Sequence, residues 1–269
     1  MTTQELQAVC RQVRRDIVEM TTAAASGHPG GSLSAVELTV GAFYHAMRVD
    51  PANPHWEDRD RFVLSKGHVS PCYYGVLAEK GFFPREELKT FRQLHSRLQG
   101  HPDAKKLPGV DASTGSLGQG VSIANGMALG AKLLGKDTRV FVLCGDGELQ
   151  EGQIWEAFMS AAHYHLDNLT VLIDWNGLQI DGSNDEVMSL GDFPAKIKAF
   201  GFDLYEIDGH DLEAVESALS APHTAGIPKC ILAHTVKGKG VSFMENQVGW
   251  HGKAPNAEQR AQALKELEG

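Results

Sequence analysis

Apolar residues recur at helical spacing through the first segment, where Leu6, Val9, Val13, Ile17 and Met20 fall on one side of residues 2–25. That spacing predicts an amphipathic helix. It stops at Ser26-Gly27-His28-Pro29-Gly30-Gly31, which reads as a glycine loop. A second helix is predicted over 34–47, with Ser34 as its N-cap and Val36, Val40, Phe43 and Met47 on one side. Residues 48–60 are polar, carry Pro51 and Pro54, and read as a surface loop. Arg61-Phe62-Val63-Leu64-Ser65 follows as a short buried strand that ends at Lys66-Gly67-His68.

A helix is expected near 84–97, then a polar loop over 100–115. An Ala- and Gly-rich helix over 119–134 comes next, its small residues permitting close packing against a neighbouring backbone. From there the pattern is regular: a strand at 139–144, a helix at 150–163 and a strand at 169–174 make a βαβ unit. Strands at 203–207 and 229–234 flank a helix at 212–220, and a polar helix begins near Asn256. With no internal repeat and no low-complexity linker, the expectation is one doubly wound α/β domain over 1–269, its sheet mostly parallel.

Composition narrows the function. The 269 residues carry a formal net charge of −9, which argues against a nucleic-acid or anionic-membrane binder, since both need a positive field. No apolar stretch is long enough to span a bilayer, and the N-terminal arginines are interrupted by Glu5, Asp16 and Glu19, so a cytoplasmic location is expected. The four cysteines form no Cys-x-x-Cys pair and read as reduced core thiols.

The chemistry concentrates between Gly145 and Leu178. In a parallel βαβ unit the carboxyl ends of both strands open on one edge, where ligands bind, and Asp146 and Asn176 stand just past two such ends. Gly145 and Gly147 flank Asp146, so the backbone can turn and approach a ligand closely. A helix expected to start near Glu148 or Leu149 points its N-terminus at the same place, which favours phosphate oxygens. One carboxylate, one amide oxygen, a backbone carbonyl and diphosphate oxygens form an oxygen shell suited to Mg²⁺, with Ca²⁺ or Mn²⁺ as substitutes. Gly-Asp-Gly alone reads as an ordinary turn. Its order with the following helix, strand and Asn176-Gly177-Leu178, thirty residues after Asp146, resembles the thiamine diphosphate fingerprint.

The resemblance extends along nearly the whole chain, to the N-terminal, diphosphate-binding part of transketolases. Ser26-Gly-His-Pro-Gly-Gly31, Leu64-Ser-Lys-Gly-His68, Gly100-His-Pro102, Thr114-Gly-Ser-Leu-Gly-Gln-Gly120 and Gly145-Asp-Gly-Glu-Leu-Gln-Glu-Gly152 match its blocks in order. It implies that Asp146, Asn176 and the Leu178 carbonyl ligate the metal, and that Gly147 and Asn176 touch the diphosphate of thiamine diphosphate. Gly115, Ser116 and Leu117 would line the cofactor with His68 near it, Ser116 standing where many family members have proline. Glu151 would belong to the subunit contact that links paired active sites.

Of the twelve histidines, His45, His55, His95, His163, His165 and His223 read as structural or surface residues, and His210 as serving a turn. His28, His68, His101 and His251 each adjoin glycine in a loop. Clustered imidazoles can donate to sugar hydroxyls and relay protons, and the resemblance implies that His28, His101 and His251 face the substrate. Lys237 either reaches the diphosphate or stands solvated in its loop.

A transketolase needs a pyrimidine-binding domain, whose glutamate activates the cofactor, and arginines that grip a sugar phosphate. Only seventeen residues follow Gly252, too few for that domain. The expectation is therefore the N-terminal subunit of a split transketolase. It would be catalytic only with a separate C-terminal subunit in an α2β2 heterotetramer, moving a two-carbon ketol unit between sugar phosphates. The rival readings are a subunit of a 2-oxo acid dehydrogenase or a deoxyxylulose-phosphate synthase relative, and a non-catalytic cofactor-binding module.

Overall fold

The computed structural model describes residues 1–268, so the expected domain boundary at Gly269 lies outside the described residues. Helix α1 (Thr3–Ala23) starts at a capping box in which Thr2 Oγ1 accepts from Glu5 N and the Glu5 carboxylate accepts from Thr2 N at 2.7 Å. Two short helices, α2 (Pro29–Ser34) and α3 (Val36–Gly41), follow, and a π turn over Ala42–Ala46 ends them. The expected glycine loop is thus half helical, with Pro29 at a helix start where its missing N–H costs nothing. The expected 34–47 helix is accordingly split, and Ser34 closes α2 instead of capping a helix.

The strands β1 (Arg61–Leu64), β2 (Val140–Gly145), β3 (Leu169–Trp175), β6 (Asp203–Asp208) and β7 (Lys229–His234) form one sheet, with a small hairpin of β4 (Leu178–Gln179) and β5 (Gly182–Ser183) beside it. The sheet runs in the order β1-β2-β3-β7-β6, and every pairing in it is parallel. Strands β1, β2, β3 and β7 are near-continuous buried runs because both faces are covered, whereas the edge strand β6 is only partly buried. Phe62, Leu64, Phe141, Leu143 and Leu172 pack on one face with α1, α3, α4 (Ser70–Lys80) and α9 (Leu212–Ser220). Val63, Val142, Cys144, Val171 and Ile173 pack on the other with α5 (Gln119–Leu133), α6 (Gly152–His163) and α8 (Phe193–Ala199).

This placement follows from connection handedness. The chain advances across the sheet from β1 to β2 to β3 and on to the edge at β6, then steps back to β7. A right-handed crossover that reverses direction must lay its helix, α9, on the opposite face.

Three expectations in the middle of the chain need correction. Residues 70–80 form α4, which is buried from Ser70 to Ala78 and so shows no one-sided pattern to predict it. The helix expected over 84–97 is a 3₁₀ stretch, Arg85–Thr90, after which Arg92 and His95 take positive φ. Two further helices, α7 (Asn184–Met188) and α8, lie between β5 and β6, where none was expected. The polar helix near Asn256 is α10 (Ala257–Glu266), capped by Asn256 and tied to α1 by Arg260 and Glu19 at 2.6 Å. All four cysteines are buried and unpaired. Among the described residues, no helix is long and apolar enough to cross a membrane.

Candidate active site

The register pairs Gly145 of β2 with Asp174 of β3, so the turns that carry Asp146 and Asn176 leave the sheet side by side at its carboxyl edge. Beside β3 lies β7, and the loop after β7 crosses to α2, where Gly238 N donates to the Gly30 carbonyl at 2.9 Å. Between these diverging loops opens a cavity of about 280 Å³. Ten of the residues singled out in the sequence line it. They are His28, His68, Gly115, Leu117, Asp146, Gly147, Asn176, Leu178, Lys237 and His251, and Gly145 beside Asp146 lines it as well. Ser116 and Glu151 are exposed and do not line it. The exposed His101 stands at its margin, where a Cβ on Gly115 would come within 3.2 Å of the imidazole.

Asp146 is buried. It follows β2 directly and caps the 3₁₀ turn Gly147–Gln150, its Oδ1 accepting from Gly147 N at 2.8 Å and its Oδ2 from Gly177 N. The helix expected to begin near Glu148 starts instead at Gly152, so the amides nearest the site belong to this short turn. Burial, with the negative charge of Asp174 added, pushes the Asp146 carboxyl above its usual range. A bound cation would reverse that. Asn176 Oδ1 accepts from Leu178 N at 3.2 Å, and the Leu178 carbonyl accepts from the Lys237 ammonium at 3.1 Å. Among the described residues no group of three or more His, Cys, Asp or Glu side chains could hold a metal ion. One carboxylate, one amide and one carbonyl nonetheless suit Mg²⁺, which keeps waters or ligand phosphate oxygens in its remaining positions. Gly145 and Gly147 leave the cavity wall free of side chains there, and a Cβ on either would come within 3.3 Å of Lys66 or Gln179.

Lys237 is buried at 2% exposure and does not stand solvated in its loop. Desolvation lowers its pKa to about 8, with the Asp146 charge acting in the other direction. Its loop is held from behind: Val236 N donates to His210 Nε2 at 2.8 Å, and His210 Nδ1 meets Glu37 at 3.0 Å. Glu37 in turn binds Arg14 at 2.7 Å. The turn expected at His210 is therefore the anchor of Lys237. Gly238 has φ +81°, and a Cβ there would lie 2.4 Å from the Met244 carbonyl oxygen. Gly238→Ala is expected to destabilise the chain by about 2–4 kcal/mol through strain and backbone clash, read as a lower urea midpoint at unchanged m-value.

Three imidazoles form a triangle over the cavity. Ring centroids of His28 and His68 are 5.0 Å apart, those of His28 and His251 5.4 Å, and those of His68 and His251 5.4 Å. Burial, with neighbouring cations, lowers His28 to about 4 and His251 to about 3, and it holds His68 well below the usual range. All three are neutral near pH 7. Lys237 donates to His251 Nδ1 at 3.1 Å, which places the imidazole proton on Nε2. His28 Nδ1 is buried and has no hydrogen-bond partner among the described residues, as expected of a group that awaits a ligand.

Two buried groups were not foreseen. Glu148 accepts from Ser65 Oγ at 2.5 Å, from Gly118 N at 2.8 Å and from Gly145 N at 3.2 Å, which ties the loop around Leu117 to two strand ends. Lys66 and Asp174 form a buried ion pair beneath the cavity. Their only trace in the sequence is position, Lys66 inside the His68 block and Asp174 two residues before Asn176.

A parallel sheet whose strand ends gather a buried acid, an amide, a carbonyl, two lysines and neutral imidazoles has the make-up of an α/β enzyme domain with its ligand cavity at the carboxyl edge. The sequence matches, over residues 3–269, the family described as transketolase, thiamine diphosphate binding domain. The chain belongs to the transketolase family. It is 41% identical over 268 residues to an apulose-4-phosphate transketolase subunit of Phocaeicola vulgatus, covering 99% of this chain and 95% of that one. It is also 41% identical to a 6-deoxy-6-sulfo-D-fructose transketolase subunit of a Clostridium species, covering 98% of this chain and 96% of that one. A transketolase structure from Leishmania mexicana superimposes with a TM-score of 0.94 at 32% identity, covering 99% of this chain but 41% of the other.

Proposed function

We propose that this chain is the thiamine diphosphate-binding subunit of a split transketolase. With a separate C-terminal subunit, in an assembly of two copies of each, it transfers a two-carbon ketol unit from a ketose phosphate to an aldose phosphate. The observation that carries this is the convergence, in one cavity at the sheet's carboxyl edge, of Asp146, Asn176, the Leu178 carbonyl and Lys237 with the histidine triangle. Further support comes from relatives of matching length that are named as transketolase subunits.

In this assignment Asp146, Asn176 and the Leu178 carbonyl hold Mg²⁺, while Lys237 and the amides around Gly147 hold the diphosphate. Thiamine diphosphate, when bound, supplies a carbon nucleophile and an electron sink for cleaving the bond beside a ketose carbonyl. His28 and His251 orient the reacting oxygen and exchange a proton with it through neutral imidazoles. His101 binds a substrate hydroxyl from the cavity margin, and His68 packs beside the cofactor. Glu151, exposed at the start of α6, lies at a contact between subunits.

Reconstitution tests the assignment. The purified chain, given Mg²⁺ and thiamine diphosphate, is expected to show no ketol transfer, and co-expression with a C-terminal transketolase subunit to restore it. Transfer by the single chain at an ordinary enzymatic rate would overturn the split-enzyme assignment. Turnover of pyruvate by the complex, with none of a ketose phosphate, would favour the 2-oxo acid or deoxyxylulose-phosphate reading. Cofactor binding without turnover in any complex would favour a non-catalytic module.

A further inference from the structure

Asp174 is fully buried near the end of β3 and has no part in the ligand shell of the proposed metal. Its carboxylate collects donors from four segments. Oδ2 accepts from the Lys66 ammonium, from Ser34 Oγ at 2.5 Å and from Asn176 Nδ2 at 3.4 Å, and Oδ1 accepts from Thr235 Oγ1. Each donor adjoins a group that faces the cavity. Lys66 stands two residues before His68, Thr235 two before Lys237, and Ser34 ends the helix entered at His28, while Asn176 lines the cavity itself. The Lys66 ammonium pairs with it inside the core.

Packing does not require such an arrangement, because apolar residues of similar volume can replace a buried ion pair with no loss of stability. What a carboxylate adds is direction. It only accepts, so it binds the NH₂ end of the Asn176 amide and turns Oδ1 the other way. An asparagine that ligates a metal must present that oxygen. Groups behind a metal ligand set its orientation, and their loss typically costs about 10–100-fold in metal affinity.

We infer that Asp174 is a positioning residue for the metal and the diphosphate. It fixes the Asn176 amide with its oxygen toward the cation, and through Lys66 and Thr235 it ties the ends of β1, β3 and β7 into one rim. It touches neither ligand. The inference rests on the metal and diphosphate assignment proposed for Asp146, Asn176 and Lys237.

The test compares the wild-type complex, the chain with its C-terminal subunit, with Asp174→Asn and with the paired variant Lys66→Met/Asp174→Leu. The paired variant leaves no unmatched buried charge and serves if Asp174→Asn fails to fold. Two quantities are measured: Mg²⁺ affinity by calorimetry at saturating thiamine diphosphate, and the thermal midpoint with neither ligand. Mg²⁺ affinity is expected to fall by about 10–100-fold, with the ligand-free midpoint of the paired variant unchanged or raised. Wild-type Mg²⁺ affinity in the paired variant would overturn the inference alone and leave Asp174 a core ion-pair partner. Absence of Mg²⁺ binding by the wild-type complex would overturn the metal assignment and the inference with it.

Discussion

Replacing Asp146 by asparagine is expected to abolish Mg²⁺-dependent binding of thiamine diphosphate and to lower ketol transfer by the complex at least about a thousandfold, on the order of 4 kcal/mol. Among the residues assigned to the metal, Asp146 is the one that supplies a full negative charge, since Asn176 and the Leu178 carbonyl contribute only dipoles. Its two oxygens are already held by Gly147 N and Gly177 N, which fixes the carboxylate before a cation arrives. Asparagine keeps the size but loses the charge, and it must turn an NH₂ toward one of two donors. The free chain should not suffer equally. Burial and Asp174 both disfavour the Asp146 charge in the absence of a cation, so the variant's ligand-free midpoint should match or exceed that of the wild type. The contrast appears on adding ligand. At a hundred times the dissociation constant, Mg²⁺ with cofactor should stabilise the wild-type complex by about 2.7 kcal/mol and leave the variant unmoved. An Asp146→Asn complex that gains the same stabilisation would remove Asp146 from the metal shell.

How much of this was legible in the sequence depended on whether a residue's role leaves a local pattern. The parallel strands did, because apolar runs of four to seven residues covered on both faces stand out against polar turns. Asp146 and Asn176 did as well, each sitting just past such a run beside glycine. Helix α4 did not, since a helix buried on all sides has no polar face to mark its period. The stretch around 84–97 carried enough helical composition to mislead, and there tertiary contacts decided otherwise: Arg92 turns with φ +59° and reaches Ser26 Oγ at 2.8 Å. Lys66 and Asp174 were invisible as a pair, because 108 positions separate them and neither residue alone announces burial. Lys237 read equally well as solvated or as a ligand. The closure of its loop onto Gly30 and His210 buries it, which rules out the solvated reading.

Charge also has to be read in space. A net −9 argued against polyanion partners as a class, yet Lys66 and Lys237 both line the cavity. Net charge therefore does not describe the cavity, where these two buried cations stand among Asp146, Glu148 and Asp181, while charges in water are screened.

His28→Ala is expected to lower kcat/KM of the complex by about 10²–10⁴-fold, the range for a positioned acid-base group, and to leave Mg²⁺ affinity within a factor of about two, since His28 is no part of the metal shell. His251→Ala should act similarly. Because the two rings lie 5.4 Å apart in one cluster, the double variant should lose much less than the product of the single losses. The pH profile separates this role from simple packing. Both imidazoles must be neutral to work as assigned, so activity is present above their pKa values and is lost as pH falls through them. With His28 near 4 and His251 near 3, the acid limb should lie well below the 6.5 of an ordinary histidine. Lys237→Met removes both a cation and the donor that occupies His251 Nδ1, so His251 should gain a proton more easily and the acid limb should move up. Stability follows the same sign. The unfolded histidines take protons near 6.5 and the folded ones do not, so folding stability is full above that pH and declines as pH falls from 6.5 toward 4. A wild-type acid limb at 6.5, unmoved by Lys237→Met, would show that neutral imidazoles are not what the reaction uses.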